Sequence, residues 1–306
     1  MLIHFVHTGS AYLPELNAYH RFLETRGHQA QTHRDTETIP SGAQVVWWMC
    51  GRVPHGAARR LGGAVHVHEY ASASVPPLAW PKDRAKRWLQ PVPHYRLFQN
   101  AWVRDRMGFA DAVPHEFRDM GIDTAFLEAP PHPLATEFDF VYLGDMQRLR
   151  HFLPVFAALE QLGRRTLLIG EAAPDLGAAL RRFPRVTLAG RIPHATVPAM
   201  LRRARYGLNL VPDRLPYSEQ TSTKLLEYCA VGLPVVSTDY RWVRGFAQQH
   251  GARLAFVPGR ATAARYAELL GPALDAQALA PPDVSALIWP HVMERLAVWR
   301  HLGLRP

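Results

Sequence analysis

The chain repeats one local pattern that leaves few folds open: a short apolar run, a helical stretch, then another short apolar run. Residues 2–6 (Leu-Ile-His-Phe-Val) are followed by a helical stretch over 14–25, the turn Gly27-His28 and a strand over 29–32, a βαβ opening. Val45-Val46-Trp47-Trp48-Met49 lacks the polar alternation of a half-exposed strand, so it reads as a strand buried on both faces, the mark of a parallel sheet covered by helices. It ends in a loop with Gly51 and Pro54. A short basic helix, strands over 64–68 and 95–98 and a helix over 102–107 continue the series. A second series has strands over 138–143, 165–169, 186–189, 207–211 and 235–237, with helices between. Between 126 and 138, Pro130, Pro131 and Pro133 forbid helix and weaken strand pairing, which makes this stretch the linker. The expected class is therefore α/β with two Rossmann-like domains, 1–130 and 131–285. Helices over 261–270 and 289–302 close the chain, and the segment 286–306 is expected to pack across the domain junction.

The length of 306 residues agrees, since one hydrophobic core rarely grows that large. Hydrophobic residues make up 48% and charged residues 20%, and no run approaches the roughly 20 apolar residues of a membrane span. The start, Met1-Leu2-Ile3-His4-Phe5, reads as a strand and not a secretion signal, and Cys50 and Cys229 make no CxxC pair. A cytoplasmic protein is expected. The net charge of +9 calls for an anion: nucleic acid, anionic lipid or a phosphate-bearing small molecule. Arginines such as Arg181, Arg182, Arg202 and Arg203 are scattered on helices without interleaved stacking aromatics, so no nucleic-acid partner is expected. The segment from Trp80 to Trp88 mixes two tryptophans with Lys82, Arg84, Lys86 and Arg87. It reads either as peripheral contact with an anionic membrane, or as an exposed helix with snorkelling side chains.

Parallel sheets bind ligands beyond the carboxyl ends of their strands. After the strand over 207–211 come a polar loop, Glu219, the cluster Thr221-Ser222-Thr223-Lys224, and a helix to about Val231 stopped by Gly232 and Pro234. The N–H groups at that helix start suit a diphosphate, with Ser222, Thr223 and the charge of Lys224 beside it. Glu227 is placed to accept hydrogen bonds from ribose hydroxyls, and Glu219 from a sugar beyond the phosphates. A plainer reading stands beside this one: Thr221 or Ser222 caps the helix, and Glu227 complements its dipole.

Glu219 and Glu227 are separated by seven residues and followed by Gly232-Leu233-Pro234-Val235-Val236-Ser237. This pattern resembles the E-x7-E signature of the retaining nucleotide-sugar glycosyltransferases of family 4 (group 1), which have the GT-B fold, two Rossmann-like domains facing a central cleft. Gln220 and Thr221 replace the family's usual glycines. Phe140-Val141-Tyr142-Leu143-Gly144 resembles the opening strand of the family's donor domain. Asp145 stands where an arginine is common, which makes Arg150 the first candidate for the diphosphate and Arg148 the second; a solvated arginine at a helix start is the plainer account of either. Leu167–Glu171 resembles the next strand and turn, and Val186–Pro193 the stretch whose backbone meets the nucleobase, which nominates Gly190 and Arg191. In the first domain His68 and Glu69 are expected just beyond a strand end, with His68 either contacting a substrate or serving as a buried structural histidine. His66 is expected to face the other way and pack, and Gly9 and Ser10 resemble the family's flexible loop. The resemblance implies hexosyl transfer from a nucleoside-diphosphate sugar to a glycan, lipid-linked or small-molecule acceptor. Lys224, Arg150 and a helix start stabilise the leaving diphosphate, and neither cofactor nor metal is needed, there being no Asp-x-Asp pair. The alternatives are a sugar-nucleotide epimerase and a non-catalytic nucleotide- or nucleic-acid-binding protein. A dehydrogenase is disfavoured because no GxGxxG follows either opening strand.

Overall fold

The computed structural model describes residues 1–9, 13–49, 52–74, 77–128 and 135–304. They form two compact units, Met1–Gly121 with Leu287–Pro306, and Ile122–Ala286. The first crossing of the chain between units thus falls at Gly121/Ile122, ahead of the boundary expected at 130/131. The proline-rich stretch 129–134 lies outside the described residues, as do Ser10, Cys50 and Gly51.

The first unit is a six-stranded parallel sheet of β1 (Leu2–Val6), β2 (Gln29–His33), β3 (Val45–Met49), β4 (Val65–Tyr70), β5 (Tyr95–Phe98) and β6 (His115–Phe117), in the order β2-β1-β3-β4-β5-β6. Its helices are α1 (Pro14–Glu24), α2 (His55–Arg60), α3 (Ala79–Leu89) and α4 (Ala101–Met107). Every residue of β3 is buried, as its unbroken apolar run requires. In α1, proline at the first turn starts the helix without losing a hydrogen bond, and Leu16, Tyr19, Phe22 and Leu23 recur at helical spacing on the buried face.

The second unit pairs β7 (Phe138–Leu143), β8 (Thr166–Ile169), β9 (Val186–Gly190), β10 (Ala204–Asn209), β11 (Val235–Thr238) and β12 (Ala255–Val257) in the order β12-β11-β10-β7-β8-β9, all parallel. Read from the first strand of the unit, this is the 3-2-1-4-5-6 order of Rossmann sheets, with the reversal between β7 and β10. Its helices are α5 (Leu153–Gln161), α6 (Pro174–Leu180), α7 (Val197–Leu201), α8 (Thr223–Ala230), α9 (Arg241–His250), α10 (Ala263–Leu270) and α11 (Pro272–Asp275). Helix α8 lies close on the sheet because β10 carries Gly207, where a Cβ would come within 2.6 Å of the Tyr228 ring. The Tyr228 hydroxyl accepts from the Leu143 backbone N–H at 2.9 Å and donates to the Leu208 carbonyl at 3.3 Å. One side chain of α8 thereby ties the helix to both strands at the reversal.

The closing stretch, expected as one helix over 289–302, is two: α12 (Trp289–Glu294) and α13 (Val298–His301). The Glu116 carboxylate accepts from the backbone N–H groups of Ala297 and Val298, both at 2.8 Å, and so ends one helix and starts the next. Trp289, Met293, Val298, Trp299 and Leu302 enter the core of the first unit with Phe5, Tyr19, Phe22 and Trp47.

Candidate functional site

The reversal between β7 and β10 is where a Rossmann sheet opens a crevice beyond its strand ends, and α8 begins there. Ser222 is the N-cap residue of α8 by backbone geometry, but its side chain makes no capping bond. The hydroxyl donates instead to Asn209 Oδ1 at 2.7 Å, and Asn209 Nδ2 donates to Ser237 Oγ (2.9 Å) and Tyr240 Oη (3.1 Å). The capping reading therefore does not hold for Ser222. Its side chain braces the loop and makes no bond to the first turn of α8, where the positive end of the helix dipole lies.

Lys224, in that first turn, is buried. Its Nζ donates to Tyr142 Oη at 2.9 Å and lies 4.0 Å from the centre of that ring, while Tyr142 Oη donates onward to the Asp145 carbonyl at 2.7 Å. No carboxylate among the described residues forms an ion pair with Lys224. Burial, and then the nearby Arg148 guanidinium, hold its ammonium well below the usual lysine value, with Asp145 and Glu227 opposing weakly. Arg148 lies on a 3-10 turn (Met146–His151), 3.7 Å from Asp145 and 4.9 Å from the Tyr217 ring, and its Nε is shielded from water without a hydrogen-bond partner. A buried lysine that no carboxylate among the described residues pairs with, an arginine with an unused donor and a helix start are features that can receive a polyanion.

Arg150, the first candidate from the sequence, is engaged elsewhere. It pairs with Asp175 (2.8 Å) and Gln147 (2.9 Å) on the surface, and it is Arg148 that reaches the field of Lys224. The tight 3-10 turn, in place of an α-helical start, decides which of the two arginines turns toward the strand ends. Glu227 is largely shielded, with His194 Nε2 3.8 Å from its Oε1. Burial raises its carboxyl above the usual range and His194 partly offsets this. Glu219 ends a 3-10 turn (Tyr217–Glu219) and accepts from Arg241 at 3.2 Å. Thr223 opens α8. Gly190 ends β9 with φ of +69°, and Arg191 after it is exposed.

Two expectations in the first unit are corrected. His68 and Glu69 do not lie beyond a strand end, because β4 runs on to Tyr70. His68 is 1% exposed, its Nδ1 lies 3.5 Å from Tyr70 Oη, and burial holds it well below the usual histidine value. Two positions apart on one strand, His66 and His68 share a face, and His66 packs as expected, accepting from Trp48 Nε1 at 3.0 Å. Glu69 is buried among Arg118, Trp47 (2.7 Å) and Tyr19 (3.0 Å). Gly9 follows β1 and its carbonyl accepts from Arg34 at 2.5 Å.

Sequence reasoning missed Tyr142, Asn209, His194 and Tyr240. Only Tyr228 left a signal: at four residues from Lys224 it shares that face of α8.

The fold is that of GT-B proteins, two Rossmann-like α/β domains. A glycosyltransferase involved in avilamycin A biosynthesis, AviGT4, aligns over 99% of this chain and 98% of its own, with a TM-score of 0.65 and 17% identity. The Anabaena protein Alr3699/HepE, solved with UDP and glucose, aligns over 95% and 93% (TM-score 0.63, 10% identity). A UDP-GlcNAc 2-epimerase from Methanocaldococcus jannaschii aligns over 99% of both chains, with a TM-score of 0.52 and 10% identity. At these identities the likeness is one of fold. No curated protein sequence matches the chain. Residues 137–274, all within the second unit, match the family model described as "Glycosyl transferases group 1". The likeness to group 1 glycosyltransferases read from the two glutamates is thus found again over the domain that carries Glu219, Lys224 and Glu227, and it supports glycosyl transfer.

Proposed function

We propose that the protein is a cytoplasmic, retaining glycosyltransferase of hexosyl type. It takes a sugar from a nucleoside-diphosphate donor held by the second domain and passes it to a glycan, lipid-linked or small-molecule acceptor on the first. The observation that carries this reading is Lys224, buried at the start of α8 and paired with no carboxylate among the described residues. A leaving diphosphate supplies the missing charge, and its negative charge grows as the glycosidic bond breaks, so the same lysine binds donor and stabilises the transition state. Arg148 shares that load; Arg150 joins it only by releasing Asp175. Glu227 holds the ribose, Gly190 and Arg191 lie toward the base, and Glu219, released from Arg241, meets the sugar. Two cations and a helix dipole stand where a metal would neutralise the diphosphate, so activity is expected to survive excess EDTA.

The test is thermal stabilisation by nucleoside diphosphates, followed by transfer assays. A diphosphate is expected to raise the melting temperature where the nucleoside alone does not. Glu227→Gln is expected to weaken nucleotide binding by roughly 10- to 100-fold, and Glu219→Ala to lower kcat with little change in nucleotide affinity. No stabilisation by any nucleoside diphosphate would remove the donor site. A product with inverted anomeric configuration by NMR would remove the retaining assignment, and conversion of the nucleotide sugar without an acceptor would identify an epimerase.

A further inference from the structure

Helix α3 is built inside out. Its one fully buried side chain is the carboxylate Asp83, which accepts from the Ser74 backbone N–H at 3.0 Å and pairs with Lys86 (3.5 Å) and Arg106 (3.3 Å). Just after the helix, Gln90 accepts from the Val53 backbone N–H at 2.8 Å. Polar contacts therefore pin the inner face, while Trp80 and Trp88 stand outward, 56% and 74% exposed. Ordinary amphipathic packing predicts the reverse. Of the nine large apolar side chains exposed among the described residues, five lie within 78–92, the others being Leu78, Leu89 and Val92. They are concentrated in this one segment of the chain and not spread over the surface. Trp80, Arg84 and Trp88 follow one another at a spacing of four along the helix, and guanidinium carbons lie 5.5 Å (Arg84 to Trp80) and 5.2 Å (Arg87 to Trp88) from the indole centres. Because Asp83 is buried and paired, no acidic side chain of α3 offsets the exposed Lys82 or the half-buried Arg84 and Arg87.

We propose that α3 and its flanks are a docking surface for an anionic phospholipid membrane, the tryptophans and aliphatic side chains entering the headgroup boundary and the three cations meeting lipid phosphates. Each component has a place at such an interface. Indole rings prefer the headgroup level, aliphatic side chains the acyl boundary, and Lys and Arg the negative surface. Single-stranded nucleic acid uses cations and stacking rings but gives Leu78, Leu89 and Val92 no partner. A second copy of this chain would bring like charges face to face. The inference goes beyond the donor reading, since it concerns where the enzyme works.

The experiment is flotation of the full chain with phosphatidylcholine vesicles with and without phosphatidylglycerol. Binding is expected only with the anionic lipid. Arg84→Glu with Arg87→Glu is expected to reduce it by roughly thirtyfold or more, and Trp80→Ala with Trp88→Ala by roughly tenfold. Stabilisation by a nucleoside diphosphate is expected to be unchanged in both variants, so that loss of docking and failure of the donor site read separately. If the double tryptophan variant does not melt cooperatively, Trp88→Ala alone, at the most exposed side chain, takes its place. Binding indifferent to anionic lipid, or undiminished in the variants, overturns the proposal. So does a wild-type dimer by light scattering that Trp88→Ala converts to monomer without any lipid binding, and so does an oligonucleotide that binds the patch where vesicles do not.

Discussion

In the proposed function Lys224 binds the donor at a cost to the free protein. Buried without a counter-ion, its neutral amine is favoured in the folded state, so the unfolded chain binds more protons between the lowered value and the usual 10.5. The burial penalty is therefore fully present below the lowered value and is relieved as pH rises across that window, leaving stability flat on either side of it. A bound diphosphate reverses the preference. Nucleoside diphosphate binding is accordingly expected to take up a proton at pH values above the lowered one, and affinity to fall by up to roughly tenfold per pH unit there. Calorimetry in two buffers of different ionisation enthalpy at alkaline pH measures the uptake directly. Lys224→Met is expected to abolish both the uptake and the slope; a wild-type protein that binds nucleotide with no proton change would contradict the role. The position of Lys224 at a helix start was legible in the sequence. Its burial on Tyr142 was not, because the phenol comes from a strand 82 residues away.

At the scale of elements, the strand ends beneath the site depend on a backbone contact. Gly170 follows β8 with φ of +144°, a region open to glycine, and a Cβ there would lie 2.3 Å from the Gly144 carbonyl oxygen at the end of β7. Gly170→Ala is expected to destabilise the second domain by about 3 kcal/mol or more, seen as a lower urea midpoint. Gly177→Ala inside α6 makes the control. Its nearest contact would be an ordinary 3.5 Å to the flexible Arg181 side chain, so a stabilisation of up to ~1 kcal/mol is expected. If both substitutions behaved alike, the strand-end contact would not be the cause. Elements with strong periodicity, such as β1, β3, β7 and α1, were readable directly. Two strands of three residues, β6 and β12, were not, since they are too short to show a period and pair only because longer neighbours offer an edge.

For the whole molecule, the chain returns at its end to complete the core of the first unit. Deleting 287–306 removes Trp289, Trp299 and their neighbours from a core of marginal net stability, about 5–15 kcal/mol for a domain. The truncated chain is expected to show only the second domain's urea transition and to lose residues 1–121 to limited proteolysis. A fragment of 122–286 is expected to melt cooperatively and still be stabilised by nucleoside diphosphate. A truncated chain with both transitions intact would show that the closing helices are dispensable.

The sequence by itself determined the α/β class, the run of buried parallel strands in both halves and the start of a helix at Thr223 with Ser222 and Lys224 beside it. These rest on local properties: unbroken apolar runs, breaker residues, and hydroxyls and a lysine ahead of a helix. Tertiary structure alone decided that Arg148 and not Arg150 joins Lys224, that Ser222 braces Asn209 and does not cap, and that His68 is buried inside β4. It also decided that one expected closing helix becomes two. Each of these turns on a partner distant in the chain, Tyr142 for Lys224, Asn209 for Ser222 and Glu116 for the break at Ala297. A contact closed across many residues leaves no period or spacing in the local sequence from which to read it.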